Sequence, residues 1–116
     1  MQWLNCGAQR LGFVLTPRQV QQFCCYRQEL VAWNRRVNLT AITEPADIEQ
    51  LHFLDSLTVA LALPEPVRAG GRICDVGSGA GFPGIPLKVL FPDIRLTLIE
   101  SRAKRTEFLV ALVAEL

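Results

Sequence analysis

Asp75-Val76-Gly77-Ser78-Gly79-Ala80-Gly81-Phe82-Pro83-Gly84 is the stretch on which the fold turns. Just before it, Arg72-Ile73-Cys74-Asp75-Val76 is short, apolar and β-prone, and it runs straight into the glycines. Beyond it a short helix is predicted over about 85–91, closed by Pro92, and Ile94 to Ile99 reads as a second strand ending at Glu100. Strand, glycine turn, helix and strand make a βαβ unit, whose two strands must be parallel. A last helix, from about 102, is expected to place Phe108, Leu109, Leu112, Val113 and Leu116 on one side.

A glycine-dense turn between strand and helix folds tightly and lets a ligand lie against bare backbone. The N–H groups opening the following helix favour a negative group there. Glu100 ends the next strand, where an acid can accept hydrogen bonds from ribose hydroxyls, so an adenosine-bearing cofactor is implied. The run has two registers. Gly79-x-Gly81-x-x-Gly84 satisfies the dinucleotide fingerprint, but it starts beyond the strand and puts Pro83 inside the turn. The other register starts with Asp75 on the strand tip and continues through Gly77, Gly79 and Gly81. Asp75 would repel a pyrophosphate, whereas S-adenosylmethionine brings an ammonium and a sulfonium, so charge favours the second. A turn that merely packs a helix on a strand is the plain alternative. No G-K-[ST] follows, which argues against a triphosphate loop.

The residues upstream read as helical. Thr16 is a candidate N-cap, Pro17 fits the first helical position and Gln19 completes a capping box. Val20, Phe23, Cys24, Leu30, Val31 and Val37 recur at helical spacing, so one amphipathic helix is expected over about 17–36. Phe23, Trp33, Phe108 and Leu112 sit at core spacing. Asn38-Leu39-Thr40 breaks the helix, Thr43-Glu44-Pro45 restarts one, and a further helical stretch covers about 55–62. Pro64 and Pro66 are expected to end this part, with Gly70-Gly71 as a turn. The division is thus a helical extension over 1–66 and a βαβα portion over 67–116, together one structural domain. Two parallel strands seldom stand alone, and the last helix has no C-cap, so the chain reads as a truncated α/β domain.

The chain has 116 residues, half of them apolar and a fifth charged, with a net charge of +1 and mean hydropathy +0.25. That fits one globular domain and gives no overall field to draw nucleic acid or anionic membrane. No stretch is long and apolar enough to span a bilayer, and the N-terminus lacks a secretory signal pattern. Cys6, Cys24, Cys25 and Cys74 lack metal-ligand spacing and read as reduced thiols, so no metal and a cytoplasmic location are expected. His52 is the only histidine; a structural role bonded to Asp55 is the plain reading, and lining the mouth of the site the functional one. Lys104 and Arg105, past the strand-end acid, are candidates for RNA phosphate; Arg35-Arg36 reads as a solvated pair.

Trp33-Asn34, Asn38-Leu39-Thr40, His52-Phe53-Leu54-Asp55-Ser56, the run from Asp75 to Gly84 with Ile85-Pro86-Leu87, and Ser101 with Lys104-Arg105 occur in this order. Together they resemble the bacterial small-subunit ribosomal RNA guanine-N7 methyltransferases, the glucose-inhibited division protein B family, over about residues 16–116. The resemblance implies a class I S-adenosylmethionine-dependent methyltransferase fold, Rossmann-like, with an N-terminal helical extension. It implies methyl transfer from S-adenosylmethionine to a guanine N7 of 16S ribosomal RNA. The partner is that RNA, with no membrane, and the complete protein is expected to be a monomer. Gly77 and Phe82 match cofactor contacts, Glu100 the ribose acid; Asp75, Gly79 and Gly81 complete the expected site. No general base is needed, because guanine N7 carries a free lone pair, and Asp75 would act by positioning. Family members continue beyond residue 116, so the 116 residues alone are expected to be inactive. A nicotinamide- or flavin-dependent oxidoreductase fragment and an inactive partial domain are the rival readings.

Overall fold

The computed structural model describes residues 1–116. Its sheet has two parallel strands, β1 (Arg72–Val76) and β2 (Arg95–Ile99), in register from Arg72 opposite Arg95 to Val76 opposite Ile99. Both strands alternate exposed and half-buried residues, because each has a helix on one face only. The connection between them is α6 (Gly84–Leu90), nearly all of it buried, and α7 (Ala103–Glu115) follows β2. The expected βαβ unit is present, with strand and helix ends moved by a residue or two.

The helical part is built on α2 (Pro17–Asn34), whose N-terminus carries the full capping box: Gln19 N–H donates to Thr16 Oγ1, and Thr16 N–H to Gln19 Oε1. Before it lies a further helix, α1 (Gln2–Arg10), which buries only Leu4 and Ala8. Gly7 lets α1 sit directly on Leu54, since a Cβ there would strike that side chain. After α2 the chain runs through α3 (Pro45–Asp47), a π-helical turn (Ile48–Leu54), α4 (Asp55–Thr58) and a 3₁₀ turn (Val59–Ala62). Pro64 and Pro66, expected to end the helical part, instead start α5 (Glu65–Arg68): a proline early in a first turn forfeits no intrahelical bond.

One core joins the two parts. Phe23, Tyr26 and Leu30 of α2 and Phe53 and Leu57 of the middle helices are fully buried with Ile85 and Leu87 of α6 and Phe108 and Leu112 of α7. Trp33 packs edge-on against Phe108, with ring centres 5.9 Å apart. Of the face expected on α7, Phe108, Leu109 and Leu112 are inside, Leu116 is half-buried and Val113 is 56% exposed. No helix is long and apolar enough to cross a membrane.

Candidate functional site

The site lies at the C-terminal ends of β1 and β2. The turn leaving β1 stays tied to β2: the N–H groups of Gly77 and Ser78 both donate to Ile99 O, at 2.8 and 3.1 Å. Ser78, buried, adds an Oγ bond to Asp75 O at 2.9 Å. The backbone then turns at Gly77, Gly79 and Gly81, with φ of 74°, 57° and 96°, a region that excludes most side chains.

The glycines divide into two kinds. A Cβ on Gly77 or Gly79 would meet nothing within 4 Å, so their bare backbone faces open space. A Cβ on Gly81 would stand 2.6 Å from Tyr26 Oη, and one on Gly84 2.8 Å from Asp75 Oδ2. Gly81 and Gly84 are therefore packing glycines. Of the two registers, the open pair belongs to the one that begins at Asp75.

Asp75 is half-buried on the strand tip, and its Oδ2 accepts the Gly84 N–H at 3.0 Å. Burial raises its carboxyl above the ordinary range, and the Gly84 bond partly offsets that. The bond also occupies the opening N–H of α6, a seven-residue helix, so the expectation of a free anion-binding helix end is not met there. Glu100 directly follows β2 and bridges two segments: Oε1 accepts the Gly79 N–H at 2.8 Å and Oε2 the Arg102 N–H at 2.9 Å. Those bonds, Arg102 first and Gly79 second, hold its carboxyl below the ordinary value, with a smaller contribution from the Arg105 charge. Each carboxylate oxygen keeps a lone pair for a further donor.

Phe82 is half-buried and lies nearly parallel to two other rings: Tyr26, with centres 5.3 Å apart and planes 7° apart, and His52, at 4.4 Å and 8°. The hydrogen-bond partner of His52 is Thr40, not the expected Asp55: Thr40 Oγ1 and His52 Nε2 are 2.8 Å apart. Burial lowers the His52 pKa and the Asp55 charge opposes this. Thr40 is itself fixed by Asn34, whose Oδ1 accepts the N–H groups of Leu39 and Thr40 at 2.9 and 3.0 Å. The separate motifs at 33–34, 38–40, 52 and 82 thus form one linked chain of contacts.

Lys104 is exposed and Arg105 half-exposed in the first turn of α7, close to Glu100. Neither makes an ion pair; the two ion pairs of the chain both end on Glu49, one from the Met1 ammonium and one from Arg27. Basic side chains at a helix N-terminus oppose its dipole, so they add nothing to helix stability there. Arg36 lies over the Trp33 ring, 4.7 Å from its centre, on the far end of α2. Tyr26 escaped the sequence reading: it sits at core spacing, and nothing local marks its hydroxyl as bound to a residue 54 positions away.

Residues 19–116 match the family model GidB, rRNA small subunit methyltransferase G. The chain is 49% identical over 113 residues to the ribosomal RNA small subunit methyltransferase G of Alkaliphilus metalliredigens, covering 97% of this chain and 46% of that protein. It is 47% identical over 116 residues to the protein of the same name from Dehalococcoides mccartyi, covering all of this chain and 48% of the relative. It is 50% identical over 105 residues to that of Roseiflexus castenholzii, covering 90% and 44%. The chain spans about half the length of these curated relatives. With the acid-first glycine turn, the strand-end acid and the linked helical motifs all inside the matched segment, the chain belongs to the GidB family of rRNA small subunit methyltransferases.

Proposed function

We propose that the chain carries the S-adenosylmethionine-binding portion of an enzyme that methylates a guanine N7 of 16S ribosomal RNA. The observation that carries this reading is the open backbone of Gly77 and Gly79 between two acids, Asp75 and Glu100. That cradle suits an adenosine bearing positive charge: a Cβ would fill it, Glu100 retains acceptor capacity for ribose hydroxyls, and Asp75 retains a carboxylate oxygen toward an ammonium. A pyrophosphate would meet Asp75 in a site of reduced dielectric and be repelled. The family name of the relatives supports ribosomal RNA as the methyl acceptor.

The bound cofactor would supply an electrophilic methyl group on sulfur. The contribution of this chain is binding and orientation. Guanine N7 needs no deprotonation, so no residue has to act as a base, and the gain comes from alignment of the reacting atoms. Asp75 and Glu100 are positioning groups in this scheme. Lys104 and Arg105, which make no ion pair, would meet RNA phosphate in this scheme, and that contact would fix register without reading sequence.

The test is calorimetry with S-adenosylhomocysteine and, in parallel, NAD. The expected outcome is binding of the first and none of the second. Gly77→Ala should weaken S-adenosylhomocysteine at least about tenfold, equivalent to ~1.4 kcal/mol, because its Cβ would occupy the ligand side of the turn. Binding of NAD in preference, or unchanged affinity in Gly77→Ala, would overturn the assignment.

A further inference from the structure

The glycine turn is gripped from the helical part by side chains that have no place in the reaction so far described. Tyr26, fully buried on α2, donates its hydroxyl to Ala80 O at 2.6 Å. Burial, and secondarily the Asp75 charge, pushes its pKa well above the ordinary phenol value, so it remains a donor at neutral pH. Its hydroxyl reaches the turn only because residue 81 has no Cβ to obstruct it. On the next residue but one, the Phe82 ring lies parallel to both Tyr26 and His52. The His52 ring is in turn set by Thr40, and Thr40 by Asn34. His52 also comes from a π-helical turn, a rare backbone form that concentrates at functional sites. On the opposite side the neighbouring Gly79 N–H is held by Glu100. Two consecutive residues of the turn, Gly79 and Ala80, are therefore fixed from two different parts of the molecule.

We propose that Tyr26 and His52 are positioning residues for cofactor binding, which hold the turn 77–82 and Phe82 in binding form from the helical part. The proposal rests on the methyl-donor reading of the site. Under it, the helical extension sets the cofactor affinity of the turn. A group that positions a loop contributes to affinity by removing the cost of ordering that loop when ligand arrives. A group that only stabilises the fold changes the melting temperature and leaves the affinity of the folded chain alone.

That difference makes the test. S-adenosylhomocysteine affinity and melting temperature are measured for the unaltered chain, for Tyr26→Phe, for His52→Ala and for Leu30→Val. Tyr26→Phe keeps the ring and removes only the hydroxyl; Leu30→Val loosens the core on the same helix, one turn further from the glycines. The expected result, well below every melting temperature, is affinity about fivefold or more weaker in Tyr26→Phe and His52→Ala, and unchanged in Leu30→Val. Tyr26 is the only tyrosine, so tyrosine labelled with carbon-13 at Cζ alone gives a single NMR resonance that reports on it without mutation. That resonance should move on addition of S-adenosylhomocysteine, which decides the matter should Tyr26→Phe fail to fold. Unaltered affinity in a folded Tyr26→Phe, or a stationary resonance on saturation with ligand, overturns the positioning role alone. Absence of S-adenosylhomocysteine binding by the unaltered chain overturns the methyl-donor reading and this proposal with it.

Discussion

At the scale of single residues, the glycines of the turn do different work although they look alike in sequence. Gly77 and Gly79 leave space, whereas Gly81 and Gly84 admit Tyr26, Ile85, Asp75 and the β2 leucines to close contact. Gly81→Ala meets Tyr26 Oη at 2.6 Å and Ile85 Cδ1 at 2.8 Å and also adopts φ near +96°. Overpacking and left-handed strain act together there, and a loss of about 3 kcal/mol in stability is expected. Gly77→Ala meets nothing and carries only the strain, about 1 kcal/mol. Urea denaturation of the two variants checks the difference, and equal losses would show that the turn relaxes around an added methyl group. Pattern alone marked all of these glycines as a ligand turn. Which of them face open space and which face protein depends on Tyr26, Asp75, Leu96 and Leu98, whose approach no local spacing encodes.

At the scale of elements, the strand–turn–helix–strand order and the start of α2 were legible because both are local. A β-prone run meeting glycines has few other outcomes, and Thr16-Pro17-Arg18-Gln19 carries its capping bonds within four residues. Helix α1 was harder to read: it is nine residues long, with two buried positions and no side-chain cap to mark its start. The π-helical turn at Ile48–Leu54 was hidden too, since its sequence also suits an α-helix and packing decides between them. Even the capping box had a second role that spacing does not show. Gln19 Nε2 donates to Val89 O and Leu90 O at 3.1 and 3.2 Å, so one side chain joins the start of α2 to the end of α6. Thr16→Ala should cost about 1 kcal/mol, the ordinary value of an N-cap. Gln19→Ala should cost about 2–3 kcal/mol, because it also strips two half-buried carbonyls of their donor. Comparable losses in the two variants, read from denaturation midpoints at constant m-value, would show that the α2–α6 tie adds little.

At the scale of the whole molecule, the helical part and the βα part close one core, but the sheet is covered on one side only. Val76 is 74% exposed and Ile99 48% at the strand ends, and Val110 is 66% and Val113 56% exposed on α7. On the helix-covered face a groove of about 560 Å³ runs between α2, α6, β2 and the end of α7, with Ile85, Val89, Leu96, Leu98 and Val113 along it. Parallel strands are ordinarily buried on both faces, so the open face that carries Val76 and Ile99 is unusual for the class of sheet. Apolar surface of this kind, on a chain whose net charge of +1 gives little mutual repulsion, favours binding of apolar probes. The 116-residue chain should therefore enhance the fluorescence of an anilinonaphthalene sulfonate dye while keeping its helical circular dichroism. The paired change Val110→Lys and Val113→Lys places charge on the exposed face of α7 and should at least halve the dye signal. Helicity should hold or rise slightly, since lysine is the better helix former and neither valine is buried. A dye signal unchanged by the pair, with dichroism intact, would locate the accessible apolar surface elsewhere, at the α1 and α2 junction around the exposed Val14. A signal lost together with the dichroism would mean that the two valines support the fold of α7, contrary to their exposure.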